Sequence, residues 1–520
     1  MRSLLQPEEA VGLVNDGATV LFGGSGAGHA VPQLFIDTLA RVYSETGHPR
    51  QLTTVRVVGI GDFADRGFSQ LALPGLMRRT IGSNLGNEPA LAAMVAAGEI
   101  EAYSFPQGVL SQLCREIAAG RPGLLTSVGL DTFVDPRRGG GKQGPATQDL
   151  VEVVELAGQE WLFFPSFPVD VAVIRGWEID QEGNLSMSGE AINGEVLAMA
   201  MAAHNSGGIV IAQARHLVAN GSLPPRAVAV PGALVDYAYL DPHQTQTYQT
   251  DYSPFYSGQK RAAASDHETV PFDHRKVIAR RSLLEFRPGD ICNLGFGISQ
   301  LIGAIASEEG VADRLTLTVE QGIFGGVPAS GNDGGAGVNP QAIVDQTAMF
   351  DFYDGGGLDI ASLSFAEVDR AGNVNVHAFG HRLRGAGGFP NISARTPRLC
   401  FVGTLTAGDI PRFVPQVKEV TFSAARARRQ HQQVHYITDL AVFALDEEGI
   451  TLIEVAPDRD PEADIFSRMG FRPRISPHLT TMDPRLFSPE PMGLASSFGV
   501  LARKGDALAS PLRAKNGESR

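Results

Sequence analysis

The chain has 520 residues, 43% hydrophobic and 19% charged, which is enough apolar material for two cores and too much for a disordered chain or a disulfide-stapled module. Its net charge of −14 repels phosphate backbones and anionic membrane surfaces, which sets aside nucleic-acid and membrane binding as the main task. No apolar run approaches the ~18 residues of a spanning helix. Acidic Glu8 and Glu9 stand where a leader would be basic or apolar, so a cytoplasmic location is expected.

Apolar runs of strand length alternate with helix-length amphipathic segments, the pattern of an α/β protein with largely parallel sheets. Thr19-Val20-Leu21-Phe22 reads as a buried strand running into Gly23-Gly24-Ser25-Gly26, and residues 31–43 read as the helix that follows. Asn87 is the expected N-cap of a helix over 88–97, with Gly98 as its stop and a strand over 100–103.

Self-similarity organises the rest. Asp170-Val171-Ala172-Val173-Ile174, Glu178-Ile179-Asp180 and Gly183-Asn184-Leu185 recur as Asp359-Ile360-Ala361-Ser362-Leu363, Glu367-Val368-Asp369 and Gly372-Asn373-Val374, at a constant offset of 189 residues. A weaker match pairs residues 17–23 with 289–295, at an offset of 272. The chain therefore reads as two homologous open α/β domains, the first carrying about 83 extra residues as a substrate-side insertion. The expected division is 1–243, a polar, Tyr-rich connector over 244–275, a second domain over 276–503 and a mobile tail over 504–520.

Leu315 to Glu320 alternates without a break, so Thr316, Thr318 and Glu320 share one face. Glu320 is the last residue of that face, and Gln321-Gly322-Ile323-Phe324-Gly325-Gly326-Val327-Pro328 ends the strand at once. Ligands of parallel sheets bind at the carboxyl ends of strands. Gly322, Gly325 and Gly326 each cost conformational entropy, which makes sense if something large lies against the backbone there.

Other candidate sites are Gly385-Ala386-Gly387-Gly388 and the run Gly23 to His29, where His29 spoils a dinucleotide fingerprint. Gln107, in Pro106-Gln107-Gly108 at a helix start, is a neutral amide suited to a substrate carboxylate. Arg137, Arg138 and Lys142, and Arg426, Arg428 and Arg429, read as solvated faces. Cys114, Cys292 and Cys400 read as core fillers, and the 12 histidines contain no HExxH, so no metal is expected.

The stretches Gly295-Phe296-Gly297, Thr318-Val319-Glu320-Gln321-Gly322, Gly325-Gly326-Val327-Pro328, residues 385–392, Gly403-Thr404 and residues 437–442 resemble the family I CoA-transferases, especially the single-chain acetate or propionate CoA-transferases and acyl-CoA:acetate/3-ketoacid CoA-transferases. The resemblance covers nearly the whole chain. It implies the NagB/RpiA-like CoA-transferase fold and a ping-pong reaction on short-chain acyl-CoA and free carboxylates, in which Glu320 becomes a glutamyl-CoA thioester. It further implies amides near Gly387 and Gly388, and those of Gly24, Ser25 and Gly26, as oxyanion or substrate contacts, and Gln107 as the carboxylate holder. Gly295 and Gly297 would line the CoA channel. CoA is then a substrate, no cofactor is needed, and a homo-oligomer, dimer or tetramer, is expected. One departure is the lack of the aromatic residue that relatives often carry near Gly334, which widens the expected acyl pocket.

Two other readings compete: an acyl-CoA hydrolase on the same scaffold, and a non-catalytic sensor of a small phosphorylated ligand. The sensor has no need of a nucleophilic Glu, and no basic helix-turn-helix is present.

Overall fold

The computed structural model describes residues 3–263, 269–380 and 382–499; the 504–520 tail lies outside the described residues. Two large sheets divide the chain, one of eleven strands drawn from Ser3–Leu240 and one of ten drawn from Ile291–Thr481. In the first, Leu52–Arg56, Thr19–Phe22, Val171–Asp180, Ile209–Val218 and Tyr237–Leu240 lie side by side in that order, all parallel. In the second the same order is held by Thr316–Val319, Ile291–Leu294, Ile360–Ser364, Arg398–Val402 and Gln433–Ile437, again all parallel. Helices cover the sheets, and buried apolar runs such as Val20-Leu21-Phe22 and Ala172-Val173-Ile174 supply the cores, as an α/β fold in two domains requires.

The repeat is carried by local hydrogen bonding. Asp180 accepts the backbone N–H and the side-chain amide of Asn184, each at 2.9 Å, and Asp369 does the same for Asn373 at 2.9 and 3.0 Å. Asp170 accepts the N–H of Thr19 at 2.7 Å, and Asp359 that of Ile291 at 2.8 Å. Each carboxylate thus pins the start of the neighbouring strand, which accounts for both offsets in the sequence. The insertion in the first half builds two further parallel strands, Met77–Gly82 and Glu101–Ser104, the helix Gln107–Ala118, and a separate antiparallel sheet of Gly123–Thr126, Glu152–Leu156 and Gln159–Pro165.

Three local expectations are corrected. The helix after the first glycine run spans Gln33–Thr46, because Pro32 sets its start. The next helix spans Pro89–Ala96 with Glu88 at the N-cap position; Asn87 does not cap it, since its side chain donates to the Gly61 carbonyl at 3.2 Å and accepts from Asn84 at 3.0 Å.

The third concerns Gly322, Gly325 and Gly326. They make room for the chain itself rather than for a ligand. All three have positive φ, and a Cβ on Gly322 would lie 2.0 Å from the Val344 carbonyl oxygen, one on Gly325 2.5 Å from Gln341, and one on Gly326 2.3 Å from the Val338 carbonyl oxygen. The returning segment that packs there pairs Ala342–Ile343 with Ile323–Phe324.

The segment after residue 243 is more than a polar connector. Gln244, Gln246 and Thr247 are buried, and Thr247, Thr250 and Tyr256 donate to buried Asp333 at 2.5, 2.8 and 3.0 Å. This cluster anchors the 331–335 loop of the second half.

Candidate active site

One cavity of about 450 Å³ collects residues from the carboxyl ends of strands in both sheets. From the first half come Gly26, Val58, Asn84, Asn87 and Gln107, and from the second Gly295, Glu320, Ser364, Gly387 and Gly388. Residues from both ends of the sequence meet there because the loops that follow the parallel strands of the two sheets converge on one space.

Glu320 follows directly on the Thr316–Val319 strand. Its strand is fixed in the sheet interior: Leu317 and Val319 are buried, and so is Thr318, whose hydroxyl meets the Cys292 carbonyl at 3.0 Å and the Tyr353 hydroxyl at 2.7 Å. The face shared by Thr316, Thr318 and Glu320 therefore turns toward the helix Gln346–Asp354 and the cavity, not toward solvent. Burial holds the Glu320 carboxyl above the ordinary range, opposed by its own backbone N–H, Asn293 and Gln321, which favour the charged form.

Gln107 opens the helix Gln107–Ala118, is 1% exposed, and donates its backbone N–H to the Gly387 carbonyl at 3.0 Å, so the two predicted walls are tied together. The next amide, of Gly108, donates to Asn391 at 3.0 Å, and a Cβ on Gly108 would lie 2.4 Å from that same side chain. Gly387 has φ +56 and faces open cavity, but its N–H is committed to the Ser83 carbonyl at 2.9 Å. Among the described residues, no chain acceptor takes the Gly388 N–H.

The remaining predicted residues separate into two groups. Gly26 and Gly295 line the cavity; Gly24, Ser25 and Gly297 do not. Gly24 is a packing glycine, its missing Cβ lying 2.6 Å from Val31, and Ser25 is buried behind the wall, where its hydroxyl accepts from Gln321 at 3.4 Å. Gly297 turns the chain into the short helical turn Ile298–Gln300. Arg137, Lys142 and Arg429 are absorbed by ion pairs with Asp135, Asp149 and Asp131, away from the cavity, and Cys114, Cys292 and Cys400 are buried free thiols.

The cavity residues Phe63, Asn84 and Arg384 escaped the sequence reading. Arg384, the one cationic side chain among the described lining residues, directly precedes the Gly385 cluster, a position that would have flagged it. Phe296 lies against Gly334, with a ring carbon 3.1 Å from where a Cβ would sit, and stacks at 6.3 Å on Phe63 from the other half. The space beside Gly334 is thus filled from the opposite side, not widened.

With this geometry in view, the coenzyme A transferase family model matches residues 4–240. Over the full length, the acetate CoA-transferase YdiF of Escherichia coli K12 is 42% identical across 94% of this chain and 96% of its own. The chain belongs to the CoA-transferase family. The caffeate CoA-transferase of Acetobacterium woodii is 40% identical across 96% of this chain and 100% of its own. A crystal structure of the Escherichia coli O157:H7 YdiF acyl-CoA transferase, described as a thioester complex with CoA, superposes with a TM-score of 0.89 at 40% identity, covering 95% of this chain and 97% of that one. The enzyme is therefore a CoA-transferase acting between acyl-CoA and carboxylates, and no helix among its described residues is long and apolar enough to cross a membrane.

Proposed function

We propose that the enzyme moves CoA from a short-chain acyl-CoA to a free carboxylate such as acetate in two half-reactions through Glu320. The observation that carries this reading is the place of Glu320, half-buried at the carboxyl end of a parallel strand and lining the cavity that both halves build. A glutamyl–CoA thioester is supported by the thioester complex described for the similar YdiF enzyme, and acetate by the name of that relative.

A Glu320 carboxylate oxygen attacks the thioester carbonyl. The carbon–sulfur bond breaks, leaving an acyl-glutamyl anhydride and the CoA thiolate. The thiolate then attacks the Glu320 carbonyl, forming the glutamyl-CoA thioester and expelling the first acid as its carboxylate. The incoming carboxylate runs the same steps in reverse and leaves as the new acyl-CoA.

Partial burial strips water from a nucleophile that is weak when fully solvated, and the fixed strand end supplies its angle of approach. Each tetrahedral intermediate carries an oxyanion, which the uncommitted Gly388 amide is suited to stabilise; one such donor contributes about 10²–10³ in rate. Gln107 offers an uncharged donor to the carboxylate, and Arg384 a cation for an anionic portion of the substrates.

Incubation with propionyl-CoA followed by borohydride or hydroxylamine should modify the peptide containing Glu320, read by mass spectrometry, and added acetate should yield acetyl-CoA. An adduct on another residue, or free CoA as the sole product, would overturn this reading.

A further inference from the structure

Gln107 is not held by the cavity wall alone. Its side-chain Nε2 donates at 3.3 Å to Oε1 of Gln346, and Nε2 of Gln346 donates at 3.0 Å to Oε2 of Glu195. All three residues are at most 3% exposed. They come from three elements: Gln107 and Gln346 are the first residues of the helices Gln107–Ala118 and Gln346–Asp354, and Glu195 immediately precedes the helix Val196–Asn205. Taking the transfer reaction above as given, we infer that Glu195 is a positioning residue for substrate carboxylates, acting through Gln346 on the amide of Gln107.

The physical reason lies in the symmetry of a glutamine side chain. Its two ends have nearly the same shape and opposite polarity, so a buried amide is oriented only by its partners. The backbones themselves are fixed, since the Gln107 N–H is bound to the Gly387 carbonyl at 3.0 Å and the Gln346 N–H to the Gly194 carbonyl at 2.9 Å. Once ionised, which its burial places at about pH 8 and above, the Glu195 carboxylate can only accept. Glu195 therefore takes the N–H end of Gln346, which turns the carbonyl of Gln346 toward Gln107 and draws one N–H of Gln107 to it. The other N–H and Oε1 of Gln107 are left for the cavity in one defined arrangement. A glutamine in place of Glu195 would accept or donate equally well, and both amides would lose their direction.

The acid is costly where it stands. Among the described residues no cation faces it: the groups around it are the Gln346 amide, its own backbone N–H, and the negative or neutral Asp345 and Cys114. Burial, with Asp345 adding to it, pushes its carboxyl up to about 8. A side chain kept only for packing would be better served by an uncharged isostere. Because the folded-state pKa is raised, the acid's contribution to stability is lost as pH rises toward 8, so its removal is expected to leave stability unchanged or higher near neutrality.

The test uses the full-length enzyme with propionyl-CoA and acetate above about pH 8, where Glu195 is ionised. Glu195→Gln should raise KM for acetate about tenfold, the loss of one oriented hydrogen bond. Turnover at saturating acetate should fall less than about threefold, KM for propionyl-CoA, which also binds through its CoA portion, should move no more than that, and the melting midpoint should not drop. In a Gln107→Ala background the same substitution should add nothing to KM for acetate. Gln346→Met cuts the relay at its middle, should reproduce the pattern, and keeps the test readable if Glu195→Gln folds poorly. An unchanged KM for acetate in both variants, a parallel loss of every constant together with the melting midpoint, or the same rise in the Gln107→Ala background would overturn the inference. Failure of the Glu320 reading is separate, since Glu320→Gln would then keep exchange whatever these variants do.

Discussion

Glu320→Gln is expected to lower CoA exchange by at least about 10⁴-fold while leaving the melting midpoint nearly unchanged, because the amide keeps the shape of the side chain and removes the anionic nucleophile. Among the described residues no other carboxylate lines the cavity: Gln107, Gln321, Asn84 and Asn87 are neutral amides, Ser364 donates its hydroxyl to the Phe296 carbonyl at 2.9 Å, and Arg384 is a cation. The loss should appear in both half-reactions, in the formation of covalent enzyme from acyl-CoA and in its discharge by acetate. Near-normal turnover in this variant would refute the mechanism.

The same carboxyl predicts a pH profile. Glu320 must be ionised to attack, and burial raises its pKa above the ordinary value of about 4.3, so kcat/KM for acyl-CoA should fall with decreasing pH along a limb lying above that value. An acid limb at or below the ordinary value would show that the nucleophile is solvated in the free enzyme.

The second large effect is expected from a buried ion pair behind the cavity wall. Arg56 and Glu88 are both fully buried, and the guanidinium donates through Nε to Glu88 at 2.7 Å and through both terminal nitrogens, one to the same carboxylate and one to the Thr80 hydroxyl at 2.6 Å. Glu88 also accepts the backbone N–H of Ile60 at 2.6 Å. The pair thus ties the strand Leu52–Arg56 to the segment that carries Asn84 and Asn87 along the cavity wall.

Arg56→Met leaves a carboxylate buried without its cation, and unfolding free energy should drop by about 3–5 kcal/mol in urea titrations. Removing both charges, as Arg56→Met with Glu88→Leu, should restore most of that loss, because two apolar groups carry no desolvation penalty. Exchange by the single variant should fail at a lower temperature than that of the unaltered enzyme. A cost below about 1 kcal/mol would mean that Glu88 is readily neutralised or hydrated where it stands.

The two α/β halves, the offsets between them and the position of Glu320 were legible in the sequence because each is a local matter. An aspartate that accepts from an asparagine four residues on makes the same turn wherever it occurs, so Asp180-Asn184 and Asp369-Asn373 announce the duplication without reference to their surroundings. Alternation up to Glu320 and the break after it likewise report a strand end directly. Tertiary structure alone decided why Gly322, Gly325 and Gly326 are glycines, what fills the space beside Gly334, and which amides face which. Those answers join residues as far apart as Gln107 and Gln346, 239 positions, or Glu195 and Gln346, 151 positions. A side chain's partner across such a distance is chosen by the packing of whole elements, and no spacing along the chain encodes it.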